Sequence, residues 1–305
     1  MKARPNVLRL ARLAVLGLVL AVVAAVVPTS SVKPTDLALI KVERATTVDL
    51  SPDVIWIMAV GSDARPGEDM TRTRGDALQL IGLNTKTGAA AANGIPRDSY
   101  VSIPGVGSER INAALYYGGP ELLGETVAEL IGIQPDYVFV TRFEKFKAMV
   151  DDIGGIDVDN PIFFSDTYLK PLGFEAGIVH LNGYLALSFA RIRKTLLRGD
   201  FDRSANQQRV LRGIQDKIRE RADRDGFIES GVLSAFQNMA TNASPSELYR
   251  LARAAAAVKP SKITTCVLLG GIGDVGGASV VLPYLDMAQR FGEMAREDAT
   301  LESCE

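Results

Sequence analysis

Residues 191–203 read RIRKTLLRGDFDR: four arginines and a lysine with two aspartates among them. The whole chain carries a net charge of −2, so this is a local concentration of guanidinium groups. Two other stretches repeat the chemistry. GSDARPGEDMTRTRGD (61–76) holds Asp63, Arg65, Arg72, Arg74 and Asp76, and IPRDSYV (95–101) holds Arg97 and Asp98. Arginine reads phosphate oxygens with a rigid fork of donors and stays charged at any relevant pH. Asp63 and Asp76 have no use in an arginine-only anion site. They make sense when a hard cation bridges them to phosphates, as Mg²⁺ is usually held by one or two carboxylates plus substrate oxygens. The composite is that of a metal-assisted diphosphate site.

Each stretch adjoins an element able to hold it. VIWIMAV (54–60) is a continuous apolar run, the pattern of a strand covered on both faces. ALQLIGLN (77–84) and the segment ending at Ile95 flank NTKTG, which predicts a hairpin. GGPELLGETVAELIG (118–132) and FEKFKAMVDDIGG (143–155) read as helices stopped by glycine, and DYVFVTRF (136–143) and IDVDNPIFF (156–164) as strands. LNGYLALSFARIR (181–193) is helical, with Leu185, Phe189 and Ile192 as its apolar stripe and Arg191 and Arg193 at its C-terminal end. A second helix is expected to start near Asp202, a good N-cap residue, and to run to Ala222. On it Arg203, Gln207, Val210 and Ile214 are spaced i, i+4, i+7, i+11 and share one face. Arg203 and Gln207 therefore head a buried stripe, while Arg212 and Arg219 point outward. The spacing leaves two readings open. Arg191, Arg193, Arg198 and Arg203 converge on one pocket mouth, or they form a surface salt-bridge network with Asp200 and Asp202. The alternation predicts an α/β fold, a mixed central sheet with helices on both faces, and a site at the strand ends.

Lys2, Arg4, Arg9 and Arg12 precede twenty uncharged residues, Leu13 to Val32. That length spans a bilayer as a helix, and the one-sided charge keeps residues 1–12 in the cytoplasm. The expected organisation is a cytoplasmic segment 1–12, a single-pass anchor 13–32, a linker 33–52 carrying one short strand, a core 53–225, and a C-terminal extension 226–305 packed on it, with everything after the anchor outside the cytoplasm. The extension holds a capped helix from Ser244, a strand over TTCVLLGG (264–271) and a closing helix in 282–298. Cys266 and Cys304 suit a disulfide in an oxidising compartment. A pI near 5.7 argues against nucleic acid as a partner. His180, at an expected helix start, reads as structural.

In order along the chain stand the D-x-R of GSDAR, the R-x-D at 74–76, IPRDSYV, RINAALYYGGPELLGETV (110–127), the GG of DDIGGIDVDNP (151–161), HLNGYLAL (180–187) and R-x-R…RGDFDR…Q. With these motifs the sequence resembles the LytR-CpsA-Psr family of cell-wall phosphotransferases over about residues 53–222. The resemblance implies a membrane-anchored enzyme that moves a glycopolymer from a polyprenyl-diphosphate carrier onto a muramic-acid hydroxyl of peptidoglycan, with a long apolar pocket for the prenyl chain. It implies Asp63 and Asp76 as Mg²⁺ ligands, and Arg74, Arg97, Arg191, Arg193 and Arg203 with Gln207 as the diphosphate site. Arg65 and Arg198 stand in a second tier. Arg97, Asp98, Arg193 and Arg203 are the expected catalytic set, with Asp98 the candidate base. Gly75, Ala77, Gly94, Asn206 and the TLL of 195–197 depart from the family pattern without removing a metal ligand or a main arginine. The alternatives are a polyprenyl-diphosphate receptor or regulator without turnover, and a hydrolase that uses water as acceptor.

Overall fold

The computed structural model describes residues 36–42 and 52–304. The expected cytoplasmic segment 1–12, the anchor 13–32 and most of the linker lie outside them, and no described helix is long and apolar enough to cross a membrane.

The chain opens on β1 (Leu37–Lys41), the short strand expected before residue 53. It continues through β2 (Val54–Ser62), β3 (Gly75–Asn84) and β4 (Ala90–Gly94), then a hairpin of β5 (Tyr100–Ile103) and β6 (Gly107–Arg110). Helix α1 (Asn112–Ile131) follows, broken at Gly119, where φ is 70°, just before Pro120. Next come β7 (Tyr137–Arg142) and α2 (Phe143–Asp152). The strand expected over 156–164 is interrupted at Pro161. It becomes β8 (Ile156–Asn160) and β9 (Phe164–Asp166), which pair with β11 (Gly177–Leu181) and β10 (Lys170–Phe174) respectively. Helix α3 (Gly183–Arg191) is capped by Asn182, whose side chain accepts from Leu185 N. Helix α4 (Asp200–Ala222) begins two residues before the expected N-cap. Asp202 instead lies in the first turn, where its charge favours the helix dipole. The remainder is α5 (Phe227–Asn238), β12 (Ala240–Thr241), α6 (Pro245–Ala257), β13 (Ile263–Val267), the β14 (Gly270–Val275) and β15 (Ala278–Pro283) hairpin, and α7 (Leu285–Ala295).

Seven strands form one mixed sheet in the order β12-β1-β7-β2-β3-β4-β13. Segment 226–305 thus supplies strands at both edges of the sheet as well as helices. Along β2 the residues alternate between two cores. Trp56, Met58 and Val60 face a cluster with Leu115, Leu123 and Val127 of α1 and Phe291 of α7. Ile55 faces the opposite cluster, with Leu248 and Ala254 of α6. A strand buried on both faces has to be continuously apolar, which is why VIWIMAV lacks the usual polar alternation. His180 lies on β11, not at a helix start, and its Nδ1 is 2.7 Å from Asp157 Oδ1 at the surface. Cys266 and Cys304 are joined as a disulfide, with Cα atoms 5.5 Å apart.

Candidate functional site

β2, β4 and β7 end on the same side of the sheet, and antiparallel β3 begins there. This delivers Asp63, Asp76 and Arg97 to one edge. Helix α3 brings Arg191 and, just past its end, Arg193. Helix α4 brings Arg203 and Gln207 on its buried stripe, with Val210 also buried and Arg212 and Arg219 exposed.

The charged groups interlock. Arg97 Nη1 bonds Asp76 Oδ1 directly. Asp98 faces Arg193 at 3.5 Å, Arg110 at 3.7 Å and Arg97 Nε at 3.9 Å. Asp200, almost wholly buried, meets Arg203 Nη2 at 2.5 Å and Arg193 Nη1 at 3.6 Å. The Arg191 guanidinium lies 4.8 Å from the centroid of the Phe143 ring, a cation–π contact. Burial pushes the Arg203 guanidinium down, Asp200 opposes this, and Arg97 and Arg193 push it further. Cations crowded in this way gain from an anion placed among them. Burial and then the charge of Asp76 hold the Asp63 carboxyl above its usual value, against Arg191 and Arg97. Two hard-oxygen carboxylates repelling one another at a site edge fit a divalent cation shared with phosphate oxygens. Among the described residues no group of three or more His, Cys, Asp or Glu is placed to hold a metal ion.

Behind the arginines the site turns apolar. A cavity of about 350 Å³ is lined at its mouth by Asp76, Arg97, Arg191, Arg193 and Arg203, and deeper by Phe139, Phe146, Met149, Leu187 and Val210. A second cavity of about 510 Å³ runs between the sheet and α4, α5 and α6. The two share Ala59, Phe139, Met149, Leu211 and Ile214. At the polar-to-apolar junction, buried Gln79 donates from Nε2 to Gln207 Oε1 at 3.0 Å, and Gln207 Nε2 donates to Ala190 O at 3.3 Å. That chain fixes the end of α3 just before Arg191.

The structure thus brings together Asp76, Arg97, Asp98, Arg191, Arg193, Arg203 and Gln207, with Asp63 exposed at the rim within electrostatic reach of Asp76, Arg191 and Arg97. It does not bring in Arg65, Arg74 or Arg198. Arg65 and Arg74 are exposed on the 63–74 loop and do not line the cavity. Arg198 is held outside it by Asp202 at 2.9 Å, whereas Arg193 and Arg203 line the cavity and also pair with Asp200. Asp200, Arg110 and Gln79 were not predicted as site residues. The signal for Gln79 was its place between Leu78 and Leu80, on the opposite face of β3.

Known proteins resemble this chain in sequence and fold. The LytR_cpsA_psr family pattern matches residues 25–294. A Bacillus anthracis relative named polyisoprenyl-teichoic acid–peptidoglycan teichoic acid transferase TagU is 36% identical over 197 residues, covering 64% of this chain and 62% of that one. The chain therefore spans less than two thirds of the length of this curated relative. Among solved structures, Bacillus subtilis TagV superposes with a TM-score of 0.67 at 28% identity, covering 82% of this chain and 98% of that one. TagT bound to LIIa-WTA superposes with a TM-score of 0.66 at 27% identity, covering 83% and 93%.

Proposed function

The chain belongs to the LytR_cpsA_psr family, and from that premise we propose that it is a membrane-anchored extracytoplasmic phosphotransferase moving a glycopolymer from a polyprenyl-diphosphate carrier onto peptidoglycan. The observation that carries this is the continuity of an arginine-lined mouth with an apolar cavity. A diphosphate joined to an isoprenoid has that same polarity, in that order. The name of the TagU relative is consistent with a donor of this kind.

On this reading Arg97, Arg191, Arg193 and Arg203 grip the diphosphate, and Gln207 braces the inner end of the mouth. Asp63 and Asp76 would hold Mg²⁺, which when bound would neutralise charge on the diphosphate. The acceptor hydroxyl oxygen attacks the sugar-side phosphorus, the phosphoanhydride P–O bond breaks, and prenyl phosphate leaves with its chain still in the apolar cavity. The acceptor proton passes to a carboxylate at the mouth, for which Asp98 is the candidate. Such a transfer depends mainly on charge neutralisation and in-line placement. The anchor is Leu13–Val32, and a reporter fused after Glu305 is expected to be active only outside the cytoplasm.

The test is release of prenyl phosphate from glycopolymer-loaded carrier by the purified full chain, with and without peptidoglycan. Acceptor-dependent release is expected, and Asp63→Ala or Asp76→Ala should abolish its Mg²⁺ dependence. Equal release without acceptor would identify a hydrolase. Carrier binding without release would identify a receptor.

A further inference from the structure

Leu197, Tyr168 and Leu172 are the most exposed of the large apolar side chains among the described residues, at 94%, 89% and 86%. They are not scattered. Leu197 stands in the loop between α3 and α4, and Tyr168 and Leu172 belong to the turn and second strand of the β9–β10 hairpin. Thr195 Oγ1 donates to Ser165 O at 2.5 Å and fastens that loop to the hairpin. Phe163, half exposed, packs so tightly on Gly173 that a Cβ there would come within 2.5 Å of its ring. Beneath lies a rigid base of Phe164, Phe174 and Phe189, with ring centroids 5.0–5.3 Å apart. Lys194 is exposed on the loop, and Lys170 on the hairpin lays its ammonium 5.7 Å from the centroid of the Phe174 ring. A clustered apolar surface of this kind marks an interaction site. Leucine and tyrosine beside lysine is the composition of a surface that enters the headgroup boundary of a membrane.

Position selects the partner. The loop that raises Leu197 also sends Arg193 into the cavity mouth. The chain enters the body at the same sheet end, where the Asp36 carboxylate pairs with Arg142 Nε at 2.9 Å and Arg142 Nη1 bonds the carbonyls of Ala64 and Arg65, beside Asp63. On the anchor reading, three residues lie between Val32 and Asp36, a reach of at most about 14 Å. A substrate with its diphosphate at headgroup depth has to meet the mouth there.

We propose that the β9–β10 hairpin and the 194–198 loop form a second membrane contact, which inserts Tyr168, Leu172 and Leu197 into the interface of an anionic bilayer and sets the arginine mouth at headgroup depth. The alignment with the mouth rests on the lipid-linked-substrate reading; the contact with lipid is measured without it.

Leu172→Trp and Leu197→Trp, each in the full chain, are reconstituted in phosphatidylglycerol-containing vesicles with ordinary or brominated acyl chains. Trp56, the one native tryptophan, is fully buried and gives a constant background. Met294→Trp, on α7, which packs on the sheet face opposite the cavity, is the control. Roughly twofold quenching by brominated lipid is expected at 172 and 197, as for side chains ~5–10 Å inside the boundary, with little at 294. Equal emission in both vesicle types, or equal quenching at all three positions, overturns the proposal. In a second arm, Leu172→Glu/Leu197→Glu should lose at least tenfold in turnover of vesicle-borne carrier yet match the parent on a water-soluble glycan linked through diphosphate to a short prenyl chain. Equal loss on both substrates, or binding of the patch to peptidoglycan sacculi in place of vesicles, also overturns it. If the parent turns over neither substrate, the transferase reading falls, and the quenching arm still decides the membrane contact.

Discussion

Arg203 separates the two readings that spacing alone left open. It is buried, and its partner Asp200 has a side chain only 11% exposed. Arg203→Ala leaves Asp200 facing Arg193 at 3.6 Å, with Arg97 in weaker electrostatic reach. Breaking a buried pair from one side costs about 3–5 kcal/mol, and the remaining Arg193 contact places this case near 3. For a domain of this size that is a fall of roughly 6–10 °C in melting temperature. Converting both partners, Asp200→Asn with Arg203→Met, removes the stranded charge and should recover most of that loss. Turnover should not recover with it. A charge-assisted contact to the diphosphate contributes about 1.5–3 kcal/mol, so both variants should be at least tenfold slow. The assay is single-turnover release of prenyl phosphate well below the melting point, beside thermal denaturation. If the double variant regains stability and parental turnover together, Arg203 is only the counter-ion of Asp200, and the mouth is a structural salt-bridge network.

Other perturbations test separate parts of the structure. Arg193→Ala should lower turnover at least tenfold in the same assay, while Arg198→Ala, whose guanidinium is held by Asp202 outside the cavity, should leave it near normal. Cys266→Ser/Cys304→Ser opens a loop of 38 residues and should cost about 3–4 kcal/mol on the loop-entropy estimate, read as a lower melting point that reductant does not change further. Gly82→Ala places a Cβ within 2.6–2.8 Å of the Trp56 ring. It should cost about 1–3 kcal/mol as an overpacked core, and an unchanged urea midpoint would count against this packing. The Glu247 carboxylate, held by Lys41 Nζ and by the Ser244 N–H and hydroxyl, has its pKa lowered to about 2. A lowered acid contributes stability above its unfolded value near 4.5 and loses it as pH falls toward 2, so Glu247→Gln should flatten the decline in melting temperature across that window.

Local periodicity carried far. The stripe of Arg203, Gln207 and Val210 was legible because a helix cannot bury Val210 without carrying Arg203 inward on the same face. The double-sided burial of 54–60 and the hairpin around NTKTG were legible for the same kind of reason. Asp200 escaped because its role depends on where a loop ends. Placed before the expected N-cap it read as a loop residue of a surface salt-bridge network, but α4 begins two residues earlier, and Asp200 pairs there with Arg203 and Arg193. Arg65, Arg74 and Arg198 show the converse: residue type marks a guanidinium as able to bind phosphate, but only the course of the loop decides whether it reaches the cavity. Pro161 breaks one apparent strand because it cannot donate to a ladder. The pairing of β12 and β13 with the central sheet was invisible, since strands meet partners that no local pattern names.

The two sheet edges set the order in which the molecule can be completed. Ala38 pairs with Ala240, and Ile263 with Ala90, so β1 and β4 are made early in synthesis and wait for most of the chain before their outer neighbours exist. Pairings this distant slow folding. They also make completeness self-reporting. A product truncated before Ile263 leaves the outer edge of β4 bare, a row of unpaired amides and carbonyls open to aggregation or proteolysis. Only a chain made past Ile263 can close both edges, and only one that reaches Cys304 can then lock it onto Cys266.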